Sequence, residues 1–177
     1  MADPRALRKR RLINEYNELM VMNGDAIQIE PLGESPYEKY KITFKVRTIV
    51  DDRGKFREKT VCILTIPHGY PKDRPKIAVD ESNPPPWHPN WWAGGTWCEG
   101  YWTQEESLVS FIYRCAKTIQ FSPDYTDSNI DSAANKSAIL FWNANKNNAE
   151  IIPTDSKPLP IVDMQTPTIS IIRTNNV

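Results

Sequence analysis

Residues 82–102 hold five of the chain's six tryptophans, together with Pro84, Pro85, Pro86, Pro89 and the pair Gly94-Gly95. Proline lacks a backbone donor and glycine gains little from a ladder, so this stretch is neither an ordinary helix nor a central strand. It must be a loop shaped by its own packing. A long, stiff loop inside a compact domain is more often functional than incidental. The regular elements have to be built on either side of it.

Upstream, the pattern predicts a helix over Pro4–Val21. Leu7, Leu12, Tyr16, Leu19 and Met20 recur near helical spacing, Asp3 is a fitting N-cap, and Pro4 takes the first helical position. Arg5, Arg8, Lys9, Arg10 and Arg11 crowd its first half, and Asn23-Gly24-Asp25 ends it. A short strand is expected at 26–30. Residues 40–50 alternate, with Ile42, Phe44, Val46 and Thr48 on one face. After a turn at 51–54, residues 58–66 return as the second arm of a hairpin, with Cys62, Leu64 and Ile66 on one face and Val61, Ile63 and Thr65 on the other. Residues 76–79 form a further short strand.

Downstream, 104–121 predicts a second helix, with Leu108, Phe111, Ile112, Cys115 and Ile119 on one stripe. Thr103 is its expected N-cap, with Glu105 and Glu106 in the first turn. A third helix is expected over 131–145, containing Ala134, Ala138, Ile139 and Trp142. This order is α+β: an N-terminal helix, an antiparallel meander sheet of about four strands, a structured loop and two following helices. Residues 1–146 read as one domain. Residues 147–177, with Pro153, Pro158, Pro160 and Pro167, read as a C-terminal arm with a strand-like stretch at 168–173.

Charge narrows the partners. Lys+Arg and Asp+Glu both number 22, so no net charge draws the chain to nucleic acid or an anionic membrane. No apolar run approaches the roughly 20 residues that span a bilayer. The basic N-terminus has no apolar stretch of the kind a secretory signal carries, which predicts a cytoplasmic protein. Cys62, Cys98 and Cys115 are too few for a disulfide framework, and without a CxxC pair no metal site is expected. No cofactor is expected either. Each cysteine is then a core thiol or a reactive one. Cys62 and Cys115 lie on apolar element faces and read as core. Cys98, in a polar loop flanked by glycine, is the candidate nucleophile.

The loop reads His88-Pro89-Asn90, and Cys98 follows Asn90 by eight positions with Gly94-Gly95 between them. This resembles the active-site signature of ubiquitin-conjugating enzymes. Upstream, the run from Ile66 through Tyr70-Pro71 and Arg74-Pro75 to Ile77 is similar to the turn that leads into that family's fourth strand. Trp102-Thr103 resembles the pair that opens its second helix. The resemblance covers 4–145 and implies a ubiquitin-conjugating fold. It implies a ubiquitin-like protein carried as a thioester on Cys98, taken from an adenylating activating enzyme and passed to an amine of a protein substrate. By the same resemblance Asn90 stabilises the oxyanion or braces the loop, while His88 and Pro89 shape it. The acidic residue that assists the amine falls at Thr126 or Asp127 by counting. Asp127 is the expected one, with Asp124 in reserve. The first helix would dock on the activating enzyme, with Arg8, Arg10 and Arg11 steering an acidic partner; a solvated charged face is the plainer reading.

There are departures. Trp102 follows Cys98 by only four positions, trimming the lip beside the thiol, and no fourth helix is evident. This pattern resembles the compact ubiquitin-conjugating proteins of bacterial operons, often concerned with antiviral defence. Two other readings remain open: a non-catalytic binding module on the same scaffold, and an unrelated thiol hydrolase pairing Cys98 with His88.

Overall fold

A computed structural model describes residues 3–152 and 154–160. Its architecture is α+β. Helix α1 (Pro4–Val21) begins where Asp3 accepts the Arg5 N–H on its carboxylate and Pro4 takes the first turn. Four antiparallel strands follow, β1 (Ile27–Leu32), β2 (Lys39–Phe44), β5 (Thr60–Thr65) and β6 (Lys76–Val79), in the spatial order β1-β2-β5-β6. Ile42 stands opposite Cys62, and Cys62 opposite Val79. The expected alternation holds: Ile42, Phe44, Cys62, Leu64 and Ile66 are buried, while Thr65 is exposed.

The hairpin is interrupted. The stretch expected as one strand over 40–50 leaves the main sheet after Phe44 and re-forms as β3 (Thr48–Ile49), which pairs with β4 (Phe56–Arg57) in a separate two-stranded ribbon. Ile49 thereby leaves the main core for a second one, with Phe121, Trp142 and Ile152. Helix α2 runs over Leu108–Ile119 and lays Leu108, Phe111, Ile112, Cys115 and Ile119 on the sheet, with Leu12 and Leu19 of α1 in the same cluster. Helix α3 spans Lys136–Asn145.

Two helix starts differ from expectation. Ser107, not Thr103, caps α2, its Oγ accepting the Ser110 N–H at 3.1 Å. Residues 103–107 stay outside the helix because tertiary partners use their backbone: Arg11 donates to the carbonyls of Gln104 and Glu106. Likewise α3 begins after Asn135, because Asp127 and Asn129 each accept an N–H two residues on and turn the chain before it can coil.

Packing continues past residue 146. Ile152 is buried, and Asp155 accepts from Lys117 Nζ and Ser122 Oγ while its N–H reaches the Gln120 carbonyl. The strand-like stretch at 168–173 lies outside the described residues. No helix among the described residues is long and apolar enough to cross a membrane.

Candidate active site

The tryptophan-rich loop divides its aromatics between core and surface. Trp91 and Trp97 are buried in the main cluster. Each removes about 150–250 Å² from water, worth roughly 4–6 kcal/mol before ordering costs. Trp87 packs on the second core, and its backbone N–H donates to the Ile49 carbonyl at 2.7 Å. Trp102 donates its indole N–H to the Pro71 carbonyl at 2.9 Å. Trp92, at 50% exposure, is the one that faces solvent.

The loop is sewn to the edge of β6. The Val79 N–H donates to the Gly95 carbonyl at 2.8 Å, and the Trp97 N–H to the Ile77 carbonyl at 3.0 Å. Gly95 sits at φ +87°, where a Cβ would come within 2.6 Å of Val79 Cγ2. Only glycine meets both demands. With Trp97 fixed this way, the next residue is presented at the surface. Cys98 is half-buried, and its N–H donates to the Asn90 carbonyl at 2.7 Å. Cys62 and Cys115 are sealed in the core, where burial pushes both thiols well above the usual range.

A cavity of about 320 Å³ opens beside Cys98, with Asn90, Asp124, Thr126 and Asp127 on its wall. The sequence-predicted trio of Cys98, Asn90 and Asp127 is therefore brought together. Asn90 Oδ1 accepts the Asp127 backbone N–H at 2.8 Å. That bond fixes which end of the amide is oxygen. Its Nδ2 donates to no protein atom among the described residues. The Asp127 carboxylate accepts from the Asn129 N–H at 2.8 Å and Ser132 Oγ at 2.6 Å. Asp124 is exposed, with no hydrogen-bond partner among the described residues.

His88 is fully buried and packs against Phe121, ring centroids 4.4 Å apart and planes tilted by 51°. Its Nδ1 accepts the Asn90 N–H at 3.0 Å, and Nε2 lies 3.3 Å from Thr126 Oγ1, whose hydroxyl donates to the Ser122 carbonyl. The imidazole is therefore neutral, with its proton on Nε2. Burial pushes its pKa down to about 3. Both nitrogens are engaged away from the thiol, so a Cys98–His88 hydrolase pair does not form. The Pro89 carbonyl accepts the Asn135 N–H at 3.1 Å, tying the loop to the start of α3.

The three arginines expected to face a partner separate. Arg8 pairs with Glu38 at 2.6 Å and donates to the Pro67 carbonyl. Arg11 pairs with buried Glu15 at 2.7 Å. Arg10 is exposed, without a partner among the described residues.

Two buried charged residues were not anticipated, Arg114 at the site and Glu15 away from it. Arg114, nearly buried on α2, lines the cavity and bonds the segment that follows Cys98. Glu15 accepts from Arg11, from the Tyr70 hydroxyl at 2.6 Å and from the Leu108 N–H at 2.8 Å, joining three elements at one carboxylate. A charged residue on a helix's apolar stripe is the only local sign of either. No protein-family model matches the chain, and no curated protein matches it.

Proposed function

We propose that the chain is a ubiquitin-conjugating-type transferase, in which Cys98 accepts a ubiquitin-like protein from an adenylating activating enzyme and passes it to a lysine amine of a protein substrate. The observation that carries this reading is the convergence of a half-exposed thiol, an amide donor without a protein partner among the described residues, and the carboxylates of Asp124 and Asp127 on one cavity, while the other two thiols are sealed. The helix–sheet–loop–helix order supports a ubiquitin-conjugating fold of the compact bacterial kind, and with it a cytoplasmic setting and a place in a defence operon.

The steps balance. The Cys98 thiolate attacks the thioester carbonyl on the activating enzyme, that C–S bond breaks, and the activating enzyme's cysteine leaves as a thiolate. A neutral amine then attacks the new thioester. Its carbonyl oxygen gains negative charge, and the Asn90 amide N–H donates to it. The C–S bond breaks, the Cys98 thiolate leaves, and the amine's proton passes to a carboxylate, Asp127 or its neighbour Asp124. Neutral His88 takes no proton; it holds the Asn90 backbone.

Incubation with an activating enzyme, ATP and a panel of ubiquitin-like proteins tests this. The expected product is an adduct released by dithiothreitol. Cys98→Ser should give a thiol-resistant ester or no adduct. An adduct that persists in Cys98→Ala sinks the assignment. Tight non-covalent binding with an inert thiol would favour the binding-module reading instead.

A further inference from the structure

The segment after Cys98 has no regular structure: residues 98–103 form neither strand nor helix. One side chain replaces the missing ladder. Arg114 donates from Nη1 to the Glu99 carbonyl at 2.8 Å and from Nη2 to the Tyr101 carbonyl at 3.0 Å. The same guanidinium grips the Glu106 carboxylate bidentately, at 2.8 and 3.0 Å. Its faces are covered by Tyr101 at 4.6 Å, Trp97 at 5.5 Å and Phe111 at 5.6 Å. The residues immediately before and after the thiol, Trp97 and Glu99, are therefore both held by this one planar group. The Glu99 carboxylate also forms an ion pair, 2.6 Å from Arg74 Nη1.

We infer that Arg114 is the positioning residue of the thiol, setting where Cys98 Sγ stands against the Asn90 amide. This rests on the transferase reading for its consequence in catalysis, though not for the grip itself. The fork geometry is essential, since an ammonium at the same place keeps the charge and loses the planar, multi-point hold. Charging tolerates a loose thiol, because the activating enzyme brings its own aligned thioester. Discharge to an amine depends on the alignment with Asn90, and a misplacement of about 1 Å costs on the order of 100-fold.

Two measurements on the full chain test this with Arg114→Lys, and with Glu106→Gln as a milder variant should the lysine chain fail to fold. In the first, iodoacetamide modification of native protein is followed by intact mass. Cys98 should react several-fold faster in Arg114→Lys as the segment loosens, with Cys62 and Cys115 still protected. In the second, single-turnover discharge to free lysine should fall about 100-fold in Arg114→Lys, with charging kept within a few-fold. A discharge rate and an alkylation rate both equal to wild type overturn the proposal. So does a parallel fall in charging, discharge and melting temperature, which marks general destabilisation. The alkylation arm needs no ubiquitin-like protein. If wild type never charges yet alkylation responds to Arg114, the transferase reading fails and the positioning role stands.

Discussion

Asn90 Oδ1 accepts the backbone N–H of Asp127 at 2.8 Å, tying the residue eight positions before the thiol to the loop that follows α2. One end of the amide is used for bracing, which leaves the other as the donor. Replacement by aspartate separates the two roles, because Asn90→Asp keeps the acceptor and removes the donor. We expect both Asn90→Ala and Asn90→Asp to slow aminolysis of the Cys98 thioester by about 100- to 1000-fold, the cost of losing one oxyanion donor. Charging should change far less. Full activity in Asn90→Asp would assign the residue to bracing alone. Single-turnover discharge assays decide it.

Arg10 and Arg8 should behave differently despite lying on one basic helix. Arg10→Glu is expected to slow charging by the activating enzyme several-fold, with the effect shrinking as salt is raised from 50 to 300 mM, as steering by an exposed charge requires. Arg8→Ala removes a bond to Glu38 and one to the Pro67 carbonyl. It should lower stability by about 1 kcal/mol without changing the salt dependence. Charging rates across ionic strength and urea midpoints distinguish them.

His88 makes the fold acid-sensitive. Its folded pKa of about 3 lies below its ordinary value of 6.5, so below pH 6.5 the unfolded chain binds a proton that the native chain does not. The stabilisation is complete above pH 6.5. It is lost as pH falls toward 3, at up to about 1.4 kcal/mol per pH unit from this residue. The His88 ring resonances should stay fixed between pH 8 and 5 in an NMR titration. Movement with a midpoint in that range would contradict the buried, neutral assignment.

Glu15 is the buried carboxylate that joins α1, the Tyr70 turn and the start of α2. Glu15→Ala strands Arg11 Nε, the Tyr70 hydroxyl and the Leu108 N–H at once, while the Arg11 Nη atoms keep the Gln104 and Glu106 carbonyls. We expect a loss of about 3–5 kcal/mol by urea denaturation, with Glu15→Gln losing less because it still accepts hydrogen bonds. A cost below 1 kcal/mol for Glu15→Ala would show that the three donors find other partners.

Much of the fold was legible in local pattern. The α1 cap at Asp3-Pro4, the sheet faces carrying Ile42, Phe44, Cys62 and Leu64, and the last strand at Lys76–Val79 all follow from periodicity and breaker residues. The start of α2 was not legible, because the Ser107 cap competes with the equally suitable Thr103. The choice was made by Arg11, distant in sequence, which takes the carbonyls of Gln104 and Glu106. The five tryptophans of the loop look alike in sequence, yet two are core, two pack partway in and Trp92 faces solvent.

By itself the sequence determined which thiol stands in a polar glycine-flanked loop, which amide precedes it at a set spacing, and that helices flank an antiparallel sheet. These follow from neighbours along the chain, whose spacing local geometry respects. Tertiary structure alone decided that Asn90, Cys98 and Asp127 share one cavity, that His88 is buried and neutral, and that Arg114 reaches the carbonyls of the segment after the thiol. Those depend on groups far apart in sequence meeting in a low-dielectric interior. There a charge or an imidazole is fixed by what surrounds it in space.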